Sequence, residues 1–236
     1  MLQAVLLFAG AIFALIFVDD PKKDDAVYVA EGSLNPFRAF IDVKDVMSSI
    51  LMIFLSTVFL ATFASTLYDN AFNYYINSEL NLQSSYNGII KAVTGITGLI
   101  ANFTINVYIA ERTNMRKSIV PVLLLCGIFA SFVPFMPTVS MFFMGGAAFY
   151  LFNTIYMPIQ QSIIMTDFNK GSSGFMSGIL NSIRSVGMIF GSLIEGVLYT
   201  AGSSLPFIVA SAIFIASSAI SGIYYSKELK IEKAME

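Results

Sequence analysis

Seven long apolar runs, separated by short polar stretches, organise this 236-residue chain. They lie at about 2–18, 46–68, 86–109, 118–136, 139–165, 174–199 and 205–225. Each is close to the roughly 20 residues an α-helix needs to cross a bilayer. The second run is predicted to continue as a polar-aromatic helix through Tyr75, because Tyr68, Phe72 and Tyr75 keep helical spacing. One connection, 19–45, is long. It opens on the solvated charge run Asp19–Asp25. It then sets Phe37, Phe40 and Ile41 at helical spacing beside Arg38 and Asp42, a pattern suited to a short helix lying in the headgroup plane.

Composition turns this pattern into a class. Hydrophobic residues make up 56% of the chain and charged ones 12%, against about 25% charged in a soluble domain. Mean hydropathy is +0.76. So few charges cannot supply a water-facing shell, and lipid is the solvent that remains. The expected fold class is an all-α polytopic membrane protein with seven transmembrane helices, one extra helix followed by a six-helix half-bundle. The net charge of -2 gives no argument for nucleic acid. There is no His, and Cys126 is the only cysteine, inside the apolar run Val122–Gly127. Internal disulfides are excluded, Cys/His zinc sites lack material, and no cofactor is predicted. No nucleophile constellation, phosphate loop or dinucleotide fingerprint is visible, so an enzyme is not expected.

Basic residues orient the runs. Eleven of the 13 lysines and arginines fall in alternate connections: Lys22, Lys23, Arg38 and Lys44; Arg112, Arg116 and Lys117; Lys170; and Lys227, Lys230 and Lys233. The connections near 69–85, 137–138 and 200–204 hold none. The basic side is predicted to be cytoplasmic, which places the C-terminus inside and Met1 outside a cell membrane. A signal peptide at 1–18 would want a basic start and a small-residue cleavage site, and neither is present. The run is instead expected to be an interior helix of a chain that has lost its beginning.

Between the third and fourth runs stand Ala110, Glu111, Arg112, Thr113, Asn114, Met115, Arg116 and Lys117. This stretch resembles the cytoplasmic signature loop of the Major Facilitator Superfamily. Glu111 takes the place of an Asp, Arg112 of the first basic residue and Asn114 of a Gly, while Arg116 and Lys117 form the closing pair. Val107 stands where that motif has its leading Gly. An Asn tolerates the left-handed turn a Gly would supply. The basic cluster suits a helix C-terminus and an anionic leaflet. Ser33–Arg38 resembles the loop joining the two six-helix halves, especially in drug/proton antiporters. Asp167–Gly174 resembles the loop between helices ten and eleven, and Gly174–Gly196 resembles helix eleven. The resemblance therefore implies that 1–18 is helix six, 19–45 the cytoplasmic central loop, and 46–236 the C-terminal six-helix half with a cytoplasmic tail. It also implies an N-terminal half as partner, since the family's two halves rock about a midplane site.

Polar groups within the runs are the functional candidates, because an ionisable side chain there is costly. Arg184 lies near the middle of the sixth run, and Glu195 follows three helical turns on, with Asn181, Met188 and Gly191 on the same face. Two readings of Arg184 stand open, a transport role or a packing bond to a neighbouring carbonyl. Lys91 can snorkel to the interface, or pair with Asp69 or Glu195, which should lie at similar depth. With no His, proton carriers must be carboxylates, and Asp69 and Glu195 are the candidates for proton coupling. The fifth run carries Tyr150, Asn153, Met157 and Gln160 on one face, with Pro158 expected to kink it. Facing Tyr68, Phe72 and Asn73, and joined by Arg184, these would line a substrate cavity, aromatic and polar, suited to amphipathic or cationic molecules. Interhelical hydrogen bonding and an interfacial aromatic belt are the alternative. Gly174/Gly178 and Gly187/Gly191 have close-packing spacing, either within this half or against the other. The expected function is secondary transport, specifically proton-coupled multidrug efflux by an antiporter. A metabolite or sugar transporter of the same superfamily, or a non-transporting scaffold or receptor, are the alternatives. The expected partners are the lipid bilayer, a small-molecule substrate and protons.

Overall fold

A computed structural model describes residues 48–83, 85–168 and 173–235. The run at 2–18, the 19–45 connection with its interfacial helix, and residues 169–172 of the 167–174 loop lie outside the described residues. The described residues belong to one compact unit, 39–236. They form six helices long and apolar enough to cross a membrane: α1 (Ser49–Ser78), α2 (Ser85–Arg112), α3 (Met115–Phe132), α4 (Val139–Asp167), α5 (Ser173–Ala201) and α6 (Leu205–Met235). The description is thus all-helical with six spans, against the seven expected for the whole chain.

Local chemistry sets the ends. The Ser48 hydroxyl accepts from the Leu51 amide at 3.2 Å and caps α1. Thr138 caps α4 in the same way through the Met141 amide at 3.3 Å. Each satisfies an amide that the first helical turn leaves without a carbonyl. The α1 helix runs on past Tyr75 to Ser78, and Asn81, with φ 51°, turns the chain toward α2 through the left-handed region Asn tolerates. Within α2, Asn102–Asn106 form a π-helical turn, where the Asn102 side chain bonds the Gly98 carbonyl at 2.9 Å and that of Asn106 bonds Asn102 Oδ1 at 2.6 Å. The α4 helix continues through Pro158.

The α1 helix is the hub, packed against α5 and α6; α6 also meets α3, α3 meets α4, and α4 meets α2. Aromatic rings fill the centre. Tyr68 stacks on Phe149 at 3.6 Å between centroids, and Phe72 on Phe142 at 4.7 Å. Both Tyr68 and Phe72 are fully buried. They belong to the core and not to a cavity wall, which corrects their expected placement. Helical spacing puts them on one face of α1 but does not say what that face meets. In contrast, the most apolar windows of α2 and α5 are only 11% and 17% buried. Their wide apolar faces, Ile96, Leu99 and Phe103 on α2 and Ile189, Leu193 and Val197 on α5, are left to lipid or to another helical partner.

Glycine spacing gives two different outcomes. A Cβ at Gly187 would stand 2.9 Å from the Phe59 carbonyl oxygen, and one at Gly191 2.7 Å from that of Phe63. Here α5 rests on the α1 backbone, as small residues allow. A Cβ at Gly174 or Gly178 would meet nothing among the described residues within 4 Å, so that pair makes no seam between the described helices, and of its two expected roles only packing against the other half remains. Gly191→Val is accordingly expected to cost about 2 kcal/mol by overpacking. The readout is the temperature at which the fully buried Cys126 thiol becomes reactive toward a maleimide dye. Gly178→Val should shift stability by less than about 0.5 kcal/mol.

Candidate functional site: a polar cavity and a charged basic end

A cavity of about 580 Å³ opens between α1, α2, α4 and α5. Its polar wall is built from Ser65 and Asp69 on α1, Lys91 and Asn102 on α2, and Tyr150 and Asn153 on α4. Asp69 lies nine residues before the end of α1 and Lys91 about two turns into α2, so antiparallel neighbours bring the two to one depth. They form an ion pair, and the Tyr150 hydroxyl donates to Asp69 Oδ1 at 2.5 Å. The Lys91 ammonium also sits 5.0 Å from the centroid of the Tyr150 ring, within cation–π range. The pair is open to the cavity, with 46% of the Lys91 side chain and 35% of that of Asp69 exposed. One carboxylate thus holds an ammonium from one side and a phenol from the other. Deeper in, Ser65 donates to Asn153 Oδ1 at 2.8 Å, fixing one hydroxyl and one amide of the wall.

The other candidates divide. Met157 lines the cavity with Tyr150 and Asn153. Asn73 turns back on its own helix, its amide donating to the Asp69 carbonyl at 2.7 Å. Gln160 is fully buried, and Gln161 makes the link to Ser177 of α5 at 3.1 Å. Arg184 donates to the Met157 carbonyl at 3.1 Å, and its buried Nε has no hydrogen-bond partner among the described residues. The carbonyl bond is thus one of the two arrangements the sequence left open for it. Glu195 is half-buried on α5, and Lys91 pairs with Asp69 and not with it. Met188 of α5 reaches the cavity one turn from Arg184.

At the basic end of the bundle a second polar group appears. Arg116 grips Asp167 with two bonds, Nε to Oδ2 at 2.7 Å and a terminal nitrogen to Oδ1 at 2.8 Å. The Tyr224 hydroxyl adds a bond to Asp167 at 2.5 Å, and Glu228 lies 3.8 Å from Arg116. The cluster ties α3, α4 and α6 together, with the Asp167 side chain only 5% exposed. Sequence reasoning placed Arg116 in a loop facing lipid headgroups and gave it no carboxylate. Glu111, Arg112 and Lys117, the other charged members of that stretch, are exposed. Asn114 also differs from its expected role. Its φ of -74° is extended and not left-handed, and its side chain accepts from the Arg116 amide at 3.0 Å as the N-cap of α3.

Six membrane-length helices, four of which line a polar cavity that holds an ion pair, fit a polytopic membrane protein of the transporter class. The family model described as Major Facilitator Superfamily matches residues 1–191 and 54–233. The chain belongs to that superfamily, whose members are transporters and not enzymes. No curated protein matches the chain.

Proposed function

We propose that the six described helices are the C-terminal half of a Major Facilitator transporter, and that the protein exports small lipophilic cations in exchange for protons. The register of the signature loop supports the half assignment, and the distribution of basic residues supports a cytoplasmic C-terminus in a cell membrane. One observation carries the substrate class. The cavity already holds a cation, the Lys91 ammonium, on the Asp69 carboxylate and over the Tyr150 ring. A positively charged organic molecule would take the same two contacts, carboxylate on one side and aromatic face on the other. A proton on Asp69 removes the charge that holds either cation, so substrate and proton occupy the carboxylate in turn. Lys91 is then a tethered occupant that closes the site when both are gone. Rocking of the two halves would expose this site to each side alternately.

Lys91→Ala removes the competing ammonium. It is expected to tighten binding of tetraphenylphosphonium to the protein in lipid nanodiscs by about tenfold, or ~1.4 kcal/mol. Equilibrium binding of the radiolabelled ion would measure this. Unchanged or weaker binding would remove Lys91 as a competitor and, with it, the argument for a cationic substrate.

A further inference from the structure

An apolar slot of about 280 Å³ lies between α2 and α4 at the end away from the basic loops, walled by Tyr86, Ile89, Val93, Phe143 and Ala147. Tyr86 and Phe143 lie parallel across it, 6.3 Å between centroids at 6°. Thr94 lines both the slot and the polar cavity, so the two spaces adjoin at one residue. Lys91, at the carboxylate site, is one helical turn from Thr94 on α2. A ligand with a cationic head and an apolar tail matches this layout. Its head would meet Asp69 and Tyr150, and its tail would pass Thr94 into the slot. From Thr94 back to Tyr86 is eight residues, about 12 Å of helix, room for a tail on the order of eight carbons.

We infer that this slot is a tail subsite, and that the ligands the protein favours are single-chain amphipathic cations. The inference rests on the cation reading of the polar cavity and adds a second contact region to it. The Thr94 wall that the slot shares with the cavity of the Asp69 carboxylate favours an occupant whose head is cationic. Tyr86, Ile89 and Val93 keep 41%, 59% and 48% of their surface exposed, which leaves apolar area for a tail to cover. Each methylene buried against such a wall is worth up to about a fourfold gain in affinity.

The test uses alkyltrimethylammonium ions from ethyl to decyl, each below its micelle concentration, displacing radiolabelled tetraphenylphosphonium from the protein in nanodiscs. Wild type is expected to gain about threefold in affinity per added methylene up to about eight carbons, then level off. Ala147→Phe and Ile89→Trp, which fill the slot from opposite walls, should flatten that slope while the ethyl ion binds as in wild type. Retained tetraphenylphosphonium binding confirms that each variant is folded. Phe143→Ala, which enlarges the slot, should move the levelling-off point to longer tails. Equal slopes in wild type and the two filled variants would overturn the tail subsite, as would ethyl and decyl ions of equal affinity in wild type. If no ion in the series binds, the cation reading itself falls and takes this inference with it.

Discussion

Asp69→Asn is expected to weaken cation binding about a hundredfold and to make the remaining transport indifferent to the proton gradient. The carboxylate joins two walls of the cavity, bonded to the Lys91 ammonium of α2 and to the Tyr150 hydroxyl of α4. Truncating one member of a close charge pair typically costs 2–5 kcal/mol, and about 3 kcal/mol corresponds to the stated loss. The amide keeps the shape and can still accept from Tyr150, so folding should survive. What it cannot do is bind and release a proton. The measurement pairs tetraphenylphosphonium binding with uptake into proteoliposomes at several imposed pH gradients, the complementary helices being present. Wild-type uptake should follow the gradient and that of Asp69→Asn should not. If the variant still followed it, coupling would have to be assigned elsewhere, with Glu195 the remaining acid candidate among the described spans.

The largest loss of stability is expected from Asp167→Ala, about 3 kcal/mol. That side chain is 5% exposed and receives two bonds from Arg116 and one from Tyr224. Removing it leaves a largely buried guanidinium without its closest counter-ion, the situation in which breaking a pair costs far more than the pair contributes. Glu228, 3.8 Å from Arg116, takes up part of the charge, which is why the figure lies at the low end of the usual range. Tyr224→Phe deletes one hydrogen bond and keeps the ring on Phe54, at 5.4 Å between centroids, so about 1 kcal/mol is expected. Maleimide reactivity of Cys126 against temperature would read both. A loss for Asp167→Ala no larger than for Tyr224→Phe would mean that Arg116 finds full compensation in its other partners, Glu228 among them.

The helices were legible because each described span needs a long apolar run whatever it packs against. So was the continuation of α1 beyond its apolar run, which the spacing of Tyr68, Phe72 and Tyr75 predicted as far as Tyr75. Apolarity falls at Asp69, yet the helix continues to Ser78, since Asp69 and Asn73 face partners within the bundle and their own backbone. The Asp69–Lys91 pair could be anticipated because depth along antiparallel neighbours follows from sequence position. The Arg116–Asp167 pair could not, because the residues are 51 positions apart and no periodicity connects helix ends that meet only in three dimensions. The two glycine pairs show the same limit. Their spacing is identical, and only the choice of neighbour makes Gly187/Gly191 a seam and leaves Gly174/Gly178 open. At Asn114 the residue type was informative but ambiguous, since left-handed turns and helix caps both favour Asn, and the extended backbone decides for the cap.

The π-helical turn at Asn102–Asn106 makes α2 a rod with two independent phases. One residue corresponds to about 100° of helical rotation. Deleting a single position within the turn would therefore revolve Glu111 and Arg112 by that angle relative to Lys91 and Gly98, while shortening the helix by only about 1.5 Å. The turn is a rotational dial between the cavity and the basic end. Insertions or deletions of one residue there retune which stripe of the helix each end presents, while the cavity contacts of Lys91, Thr94 and Gly98 stay where they are.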